Sequence, residues 1–335
     1  MTETVLVTGG AGYIGSHCAH ALRDAGYTVV VLDDLSTGRR ASVPADAAFV
    51  AGDIGDGALV AEVLARYRVA AVMHFAGSIV VSESVREPLR YYRNNPANSQ
   101  VLIDASLRAG VRAFIFSSTA AVYGEPERVP IDEDQPTRPI NPYGWSKLAT
   151  EWMLRDYAAA TGLRYAALRY FNVAGADPAG RTGQSSPVAT HLLKLACQTA
   201  LGQRQQLSVF GEDYPTPDGT CIRDYIHVSD LADAHVAALR HLLGGGDSLV
   251  ANCGYGRGFS VLEVVAAVER VTGRKLPVAK AARRPGDPPM LVGSPERIRR
   301  VLGWTPRHDD LDFIVGTALA WEERLERETR KENVA

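Results

Sequence analysis

The feature that most constrains this chain is the alternation of short apolar runs with amphipathic stretches across its first half. Residues 4–8, 28–32, 70–74, 112–117 and 165–170 are apolar or β-branched and end at glycine or polar residues, so they read as buried strands. Residues 14–25, 58–67, 98–109 and 142–160 read as the helices between them. Strands buried along their length and joined through helices predict a parallel sheet covered on both faces, an α/β doubly wound architecture. After Asn172 the alternation weakens. Residues 176–186, 214–220 and 283–289 are loop-like in composition, with helices expected over 187–200, 228–243 and 261–272. A charged surface helix is expected over 318–331. The expected organisation is a sheet domain over 1–175 and a smaller, mixed α/β substrate lobe over 176–335, with a segment near 222–245 packing back on the sheet domain.

The chain has 335 residues, too many for one small core. Its formal net charge of -2 provides no basic face for nucleic acid or anionic lipid, so an anionic ligand must be held by locally placed groups. The four cysteines, Cys18, Cys197, Cys221 and Cys253, are widely spread and form no CxxC pair. They are expected to be buried, inert thiols, with neither a disulfide framework nor a metal site. No cleavable leader and no membrane span is read from the sequence, and the expected compartment is the cytoplasm.

The segment 9–15 lies between the first strand and the first helix and places glycines at Gly9, Gly12 and Gly15. Glycine there permits a tight turn and lets backbone N–H groups approach a pyrophosphate at the helix N-terminus. The last glycine lets helix and strand pack closely. A glycine-rich turn alone is a weak signal; its place after the first strand makes it a Rossmann-type dinucleotide site. Asp33 ends the second strand at about the ~20-residue spacing at which a carboxylate meets the adenosine ribose. A carboxylate there repels a 2′-phosphate and favours NAD over NADP, although Arg39 and Arg40 follow closely. Asp53 is read either as an adenine contact or as a helix cap.

Tyr143 and Lys147 stand four residues apart near the start of a predicted helix, on one face and one turn apart. An ammonium beside a phenol favours the phenolate, and a phenol so tuned exchanges a hydroxyl proton near neutral pH. A Tyr-Lys pair at this spacing is usually a surface pair. Here it follows a dinucleotide loop and a strand ending in Ser117, Ser118 and Thr119, at the sheet edge where ligands bind in this architecture.

The motifs VTGGAGYIGSH (7–17), GDI (52–54), HFAG (74–77), FSSTAAVYG (116–124), NPYGWSK (141–147), RYFNVAGA (169–176), DGTCIRDYIHVSDLADAH (218–235) and RRPGD (283–287) together resemble the extended short-chain dehydrogenase/reductase family over nearly the whole chain. The resemblance is closest to members that invert C4 of a UDP-hexose. It implies tightly held NAD, a transient 4-keto sugar, Tyr143 as the base at the 4-hydroxyl, Thr119 hydrogen-bonded to that hydroxyl, and Lys147 tuning Tyr143 and bonding the nicotinamide ribose. It also implies NAD contacts from Gly9, Gly12, Tyr13, Ile14, Gly15, Asp33, Asp53, Ile54, Phe75, Ala76, Gly77, Asn94, Ser117 and Phe171. UDP-sugar contacts are implied at Thr119, Tyr143, Asn172, Leu192, Val209, Phe210, Arg223, Arg284 and Asp287. Fixed arginines suit a diphosphate that the net charge does nothing to attract. A homodimer is implied, paired through the helices at 98–109 and 142–160.

Three positions depart from the commoner pattern. Ile79 stands where many members carry a lysine near the cofactor, Thr119 replaces serine, and Leu291 occupies a position that bears on the fit of N-acetylated sugars. UDP-N-acetylhexosamine, UDP-xylose and UDP-glucuronate therefore stand as alternative substrates beside UDP-glucose and UDP-galactose. A nucleotide-sugar dehydratase is disfavoured, because Ala120 and Ala121 stand where such enzymes carry an acid pair and cannot transfer protons. A decarboxylase and a non-catalytic NAD-sensing protein are the remaining rivals; the latter has no use for Thr119, Tyr143 and Lys147 together. Asp224 and His227 are expected to be structural, and His20, His74 and His191 show no ligand spacing.

Overall fold

The computed structural model describes residues 2–186, 190–284 and 287–332. Its centre is a seven-stranded sheet in the order β11-β6-β5-β4-β1-β2-β3, parallel throughout. The strands are β1 (Thr4–Thr8), β2 (Thr28–Asp33), β3 (Ala48–Ala51), β4 (Ala71–His74), β5 (Ala113–Thr119), β6 (Arg164–Tyr170) and, from far along the chain, β11 (Leu249–Cys253). Both faces are buried, so successive side chains of one strand enter two different cores. Val5 and Val7 join one core with α1 (Tyr13–Asp24) and α8 (Val228–Leu243). Leu6 joins the other with α2 (Gly57–Arg66), α5 (Asn98–Arg108) and α6 (Pro142–Thr161). This is the doubly wound, Rossmann-type sheet that the alternation predicts.

Three differences from the sequence reading have physical causes. Residues 81–97 form α3 (Val81–Arg86), α4 (Pro88–Tyr92) and a π-helical turn, Arg93–Ala97, running into α5. Pro96 lies inside that turn, and pieces this short carry no clear period. The helix expected from 187 begins at Leu192, as α7 (Leu192–Ala200); residues 187–189 lie outside the described ones. The tail helix is longer than expected and is no mere surface helix: α11 (Leu311–Glu332) buries Ile314, Val315, Trp321 and Glu322. Glu322 is ion-paired with buried Lys194 of α7 and accepts from Gln198 at 3.1 Å.

The second half also builds three small sheets. β7 (Asn172–Ala174) pairs with β10 (Tyr225–His227), and β8 (Leu207–Phe210) pairs with β13 (Val278–Ala281). β9 (Ile222–Arg223) lies between β12 (Phe259–Ser260) and β14 (Met290–Leu291). Ser260 caps α9 (Val261–Thr272) in a capping box with Glu263, and α10 (Glu296–Leu302) precedes α11. All four cysteines are free and buried.

Candidate active site

The glycine loop is built by close approach. Gly9 has φ +67°, and a Cβ there would lie 2.6 Å from the Ala76 nitrogen. A Cβ at Gly15 would lie 2.2 Å from the Gly9 oxygen, and Gly12 N–H donates to that oxygen at 3.1 Å. The turn thus sits against the 75–77 segment and leads into α1, whose first N–H groups have no partner within the helix. Tyr13 donates its phenol to the Gly175 carbonyl at 2.7 Å, and Ile14 packs against the adjoining core.

Asp33 closes β2 over this loop. Its Oδ2 accepts from Ala11 N–H and its Oδ1 from Leu35 N–H, at 2.9 and 2.8 Å. Burial pushes its carboxyl above the usual range, and these two bonds oppose the shift. Arg39 lies 3.7 Å from Glu328 of α11, and Arg40 stacks on Phe49 at 4.8 Å. Neither arginine pairs with Asp33. Asp53 is not a helix cap, since Asp56 caps α2; its Oδ1 accepts from Gly55 N–H at 2.8 Å and from Asn98 at 3.2 Å. Ile54 is buried beside it. Phe75 follows β4 with its ring 5.0 Å from His235.

Gly77 meets α6. A Cβ on it would lie 2.9 Å from Asn95 Oδ1 and 3.8 Å from Lys147 Nζ. Asn95 was not singled out by sequence reasoning, yet it organises this corner. It accepts from Ser78 N–H at 2.7 Å and donates to the Ser78 carbonyl at 3.0 Å and to Ser146 Oγ at 2.8 Å. Asn94, its expected neighbour, donates to Ser78 Oγ at 2.9 Å.

Tyr143 and Lys147 lie in the first two turns of α6, which Asn141 caps by accepting from Gly144 N–H at 2.9 Å. Lys147 is buried, with Nζ donating to the Ser117 carbonyl at 3.0 Å and lying 5.0 Å from the Phe116 ring centre. Among the described residues no carboxylate pairs with it, and burial lowers its proton affinity to about 8. Burial pushes the Tyr143 phenol above its ordinary value, while a hydrogen bond with Thr119 pulls it down. The lowering partner in this geometry is therefore Thr119; Lys147 turns its ammonium onto the Ser117 carbonyl instead. Thr119 Oγ1 accepts from Ala121 N–H at 3.1 Å, which leaves its own proton free to donate. Ser117 bonds the Tyr170 hydroxyl.

Some of the residues expected to contact the UDP-sugar meet through the small sheets. Arg223 is buried and donates to Asp287 Oδ1 at 2.9 Å, so these two expected contacts form one ion pair. Arg284 lies over the Phe210 ring at 4.0 Å, and Val209 is buried next to Phe210 in β8. Asn172 N–H donates to the Asp224 carbonyl at 3.0 Å, directly after Arg223. Phe171 and Leu291 pack together against Ala120 and Tyr123. Leu192 is half-buried at the start of α7.

Asp224 and His227 do not form a dyad. Asp224 accepts from the N–H groups of Tyr255 and Gly256, each at 3.0 Å. His227 Nδ1 caps α8 by accepting from Ser229 N–H, and its Nε2 is 3.1 Å from Thr317. His74 is locked between Thr8 and Ser99 at 2.8 Å each, and burial lowers its proton affinity to about 3. Among the described residues no cluster of His, Cys, Asp or Glu has a metal-binding arrangement.

Residues 5–254 match the NAD dependent epimerase/dehydratase family. The chain belongs to that family. Among its relatives in the family, the UDP-glucose 4-epimerase of Azospirillum brasilense is 67% identical over 323 residues, which are 96% of this chain and 93% of that protein. The crystal structure of UDP-glucose 4-epimerase from Brucella ovis in complex with NAD superposes with a TM-score of 0.93 at 50% identity, covering 95% of this chain and 98% of that one. The enzyme from Bifidobacterium longum, solved with NAD+ and UDP, gives 0.91 at 38% identity over 96% and 98% of the two chains.

Proposed function

We infer that this chain is an NAD-dependent 4-epimerase that interconverts UDP-glucose and UDP-galactose. The observation that carries the chemistry is the junction of the glycine loop, the end of β5 and the start of α6. There a half-buried phenol, whose proton affinity the Thr119 hydroxyl pulls down, stands one helical turn from a buried lysine. The loop fits a dinucleotide: at Gly9 and Gly15 a side chain would collide with backbone, leaving bare N–H groups for a pyrophosphate, and the Asp33 carboxylate stands over the same loop. NAD, when bound, supplies the hydride acceptor and donor that inversion at C4 needs.

The residues of this chain handle the protons and hold the ligand. Tyr143 removes the 4-hydroxyl proton and later returns it, with Thr119 donating to the phenolate. Lys147 carries its proton at pH 7, donates to the Ser117 carbonyl, and would bond the nicotinamide ribose of bound NAD. Ala120 and Ala121 offer no second acid, so the hydroxyl is not eliminated as water. The Arg223–Asp287 pair and Arg284 over Phe210 hold the UDP group, with Asn172 and Leu192 completing its walls. Residues 1–175, with the returning α8 and β11, form the dinucleotide unit; the small sheets of the second half form the sugar-nucleotide lobe.

The active unit in this reading is a homodimer. Val85, Leu89, Tyr92, Trp145 and Trp152 are exposed on α3, α4 and α6, with the two tryptophan rings 6.4 Å apart. None of the described helices is long and apolar enough to cross a membrane. Four free thiols fit the reducing cytoplasm in which we place the enzyme.

Purified protein incubated without added NAD should epimerise UDP-galactose faster than UDP-N-acetylgalactosamine, UDP-xylose or UDP-glucuronate, and Tyr143→Phe should lower kcat by ~10²–10⁴ while NAD stays bound. Failure to turn over any of the four sugars even with NAD supplied would refute the assignment.

A further inference from the structure

Directly behind the catalytic residues lies a buried ionic pair that the proton chemistry above does not use. Glu151, one turn beyond Lys147 on α6, forms a fork with Arg169 of β6: Nε to Oε1 at 3.0 Å and Nη2 to Oε2 at 2.6 Å. Both side chains are at least nine-tenths buried. Ser118 donates to Glu151, and Arg169 donates to the Tyr123 hydroxyl at 3.0 Å. Tyr123 donates to Asn252 Oδ1 at 2.7 Å. Each member adjoins a site residue in sequence or on the helix. Ser118 separates Ser117 from Thr119, Arg169 precedes Tyr170, and Glu151 shares the buried face of α6 with Lys147. In the β5–β6 register Ser118 stands opposite Arg169.

We propose that Glu151 and Arg169 are positioning residues that act as a charge-neutral brace, holding α6 to the ends of β5 and β6 while keeping a zero net potential behind Tyr143 and Lys147. The proposal rests on the proton-transfer reading of Tyr143. A buried pair is a poor source of stability compared with apolar residues of similar volume, so its retention beside a titrating site calls for a different account. Two opposite charges in a tight fork cancel at a distance. Either one alone would act strongly on a buried lysine one helical turn away. The other charged or titratable groups facing the pair are Tyr165 on β6, and Glu133 with its partner Arg297 beyond Tyr123. Those facing Lys147 are His74, held neutral between Thr8 and Ser99, and Tyr143 itself. Tyr170 faces Tyr143 from β6.

The test is a charge cycle in the NAD-loaded enzyme, reading the acid limb of kcat against pH and the ultraviolet phenolate titration of each variant minus the same variant carrying Tyr143→Phe. Glu151→Gln leaves Arg169 bare, so the limb and the phenolate midpoint should both fall by roughly one pH unit. The double variant Glu151→Gln/Arg169→Met is neutral again, and both midpoints should return to the parent values even though kcat stays lower through lost geometry. A limb that moves in neither variant, or that the double variant fails to restore, would overturn the brace. Should the double variant not fold, an unmoved phenolate midpoint in Glu151→Gln alone overturns it. A phenolate signal absent from the parent difference spectrum would instead sink the reading of Tyr143 as the base.

Discussion

Lys147 shows how a single residue can serve function against stability. Burial lowers its proton affinity from the ordinary 10.5 to about 8. Between those values the unfolded chain binds more protons than the folded one, so stability contributed at this site rises with pH from about 8 to 10.5. Below pH 8 the buried charge costs the fold its full amount. Lys147→Met should therefore raise the melting temperature at pH 7, by the equivalent of ~1–3 kcal/mol, while abolishing most turnover. The difference should shrink in melts taken above pH 8, and a difference that grows there would contradict the assignment. At this scale the motif residues were legible because their spacing carries the meaning: Tyr143 and Lys147 by one helical turn, Gly9, Gly12 and Gly15 by the turn that they make. Asn95, Glu151 and Arg169 were not. Each is a polar residue whose partner lies 17 to 51 positions away, and local pattern holds no record of such a pairing.

Among the elements, the helices with strong ends were read best. The boundaries of α8 and α9 follow from the His227 and Ser260 caps and the apolar period behind them. Short pieces without a period, residues 81–97 above all, pack on α5 and α6, neighbours that local pattern does not record. The tail helix looked like a solvated element because charge dominates its sequence; its buried Glu322 is compensated by Lys194, a partner 128 residues away. The α1 junction offers the sharpest test of an element. A methyl at Gly15 would have to displace the Gly9 carbonyl, which is backbone and cannot swing aside. Gly15→Ala should cost about 1–3 kcal/mol in denaturant unfolding, the usual scale of overpacking, and the purified variant should carry much less NAD by absorbance of the released cofactor. Full NAD occupancy in a variant of parental stability would show that the loop is not the dinucleotide cradle.

For the whole molecule, the doubly wound sheet was legible in the alternation of apolar runs, whereas two of its seven strands, β3 and β11, were not among those predicted. β11 comes from residues 249–253, in a region where the alternation has lapsed, and only its pairing with β6 reveals its place. The small sheets of the second half follow the same rule: two- to four-residue strands gain their register from neighbours distant in sequence. The exposed Trp145 and Trp152 leave an apolar face that water covers poorly. Sedimentation should give twice the chain mass for the parent and a shift toward the single-chain mass for Trp152→Glu. A parent that sediments as a single chain at micromolar concentration would remove the dimer from the account. In the proposed reaction the hydrogen at C4 leaves as hydride and returns within one bound complex, while Tyr143 moves only the hydroxyl proton. UDP-galactose carrying deuterium at C4, incubated with the enzyme in ordinary water and analysed by mass spectrometry and NMR, measures this directly. The product should be UDP-glucose that keeps its deuterium at C4; loss of the label to solvent would rule out a hydride held within the bound complex.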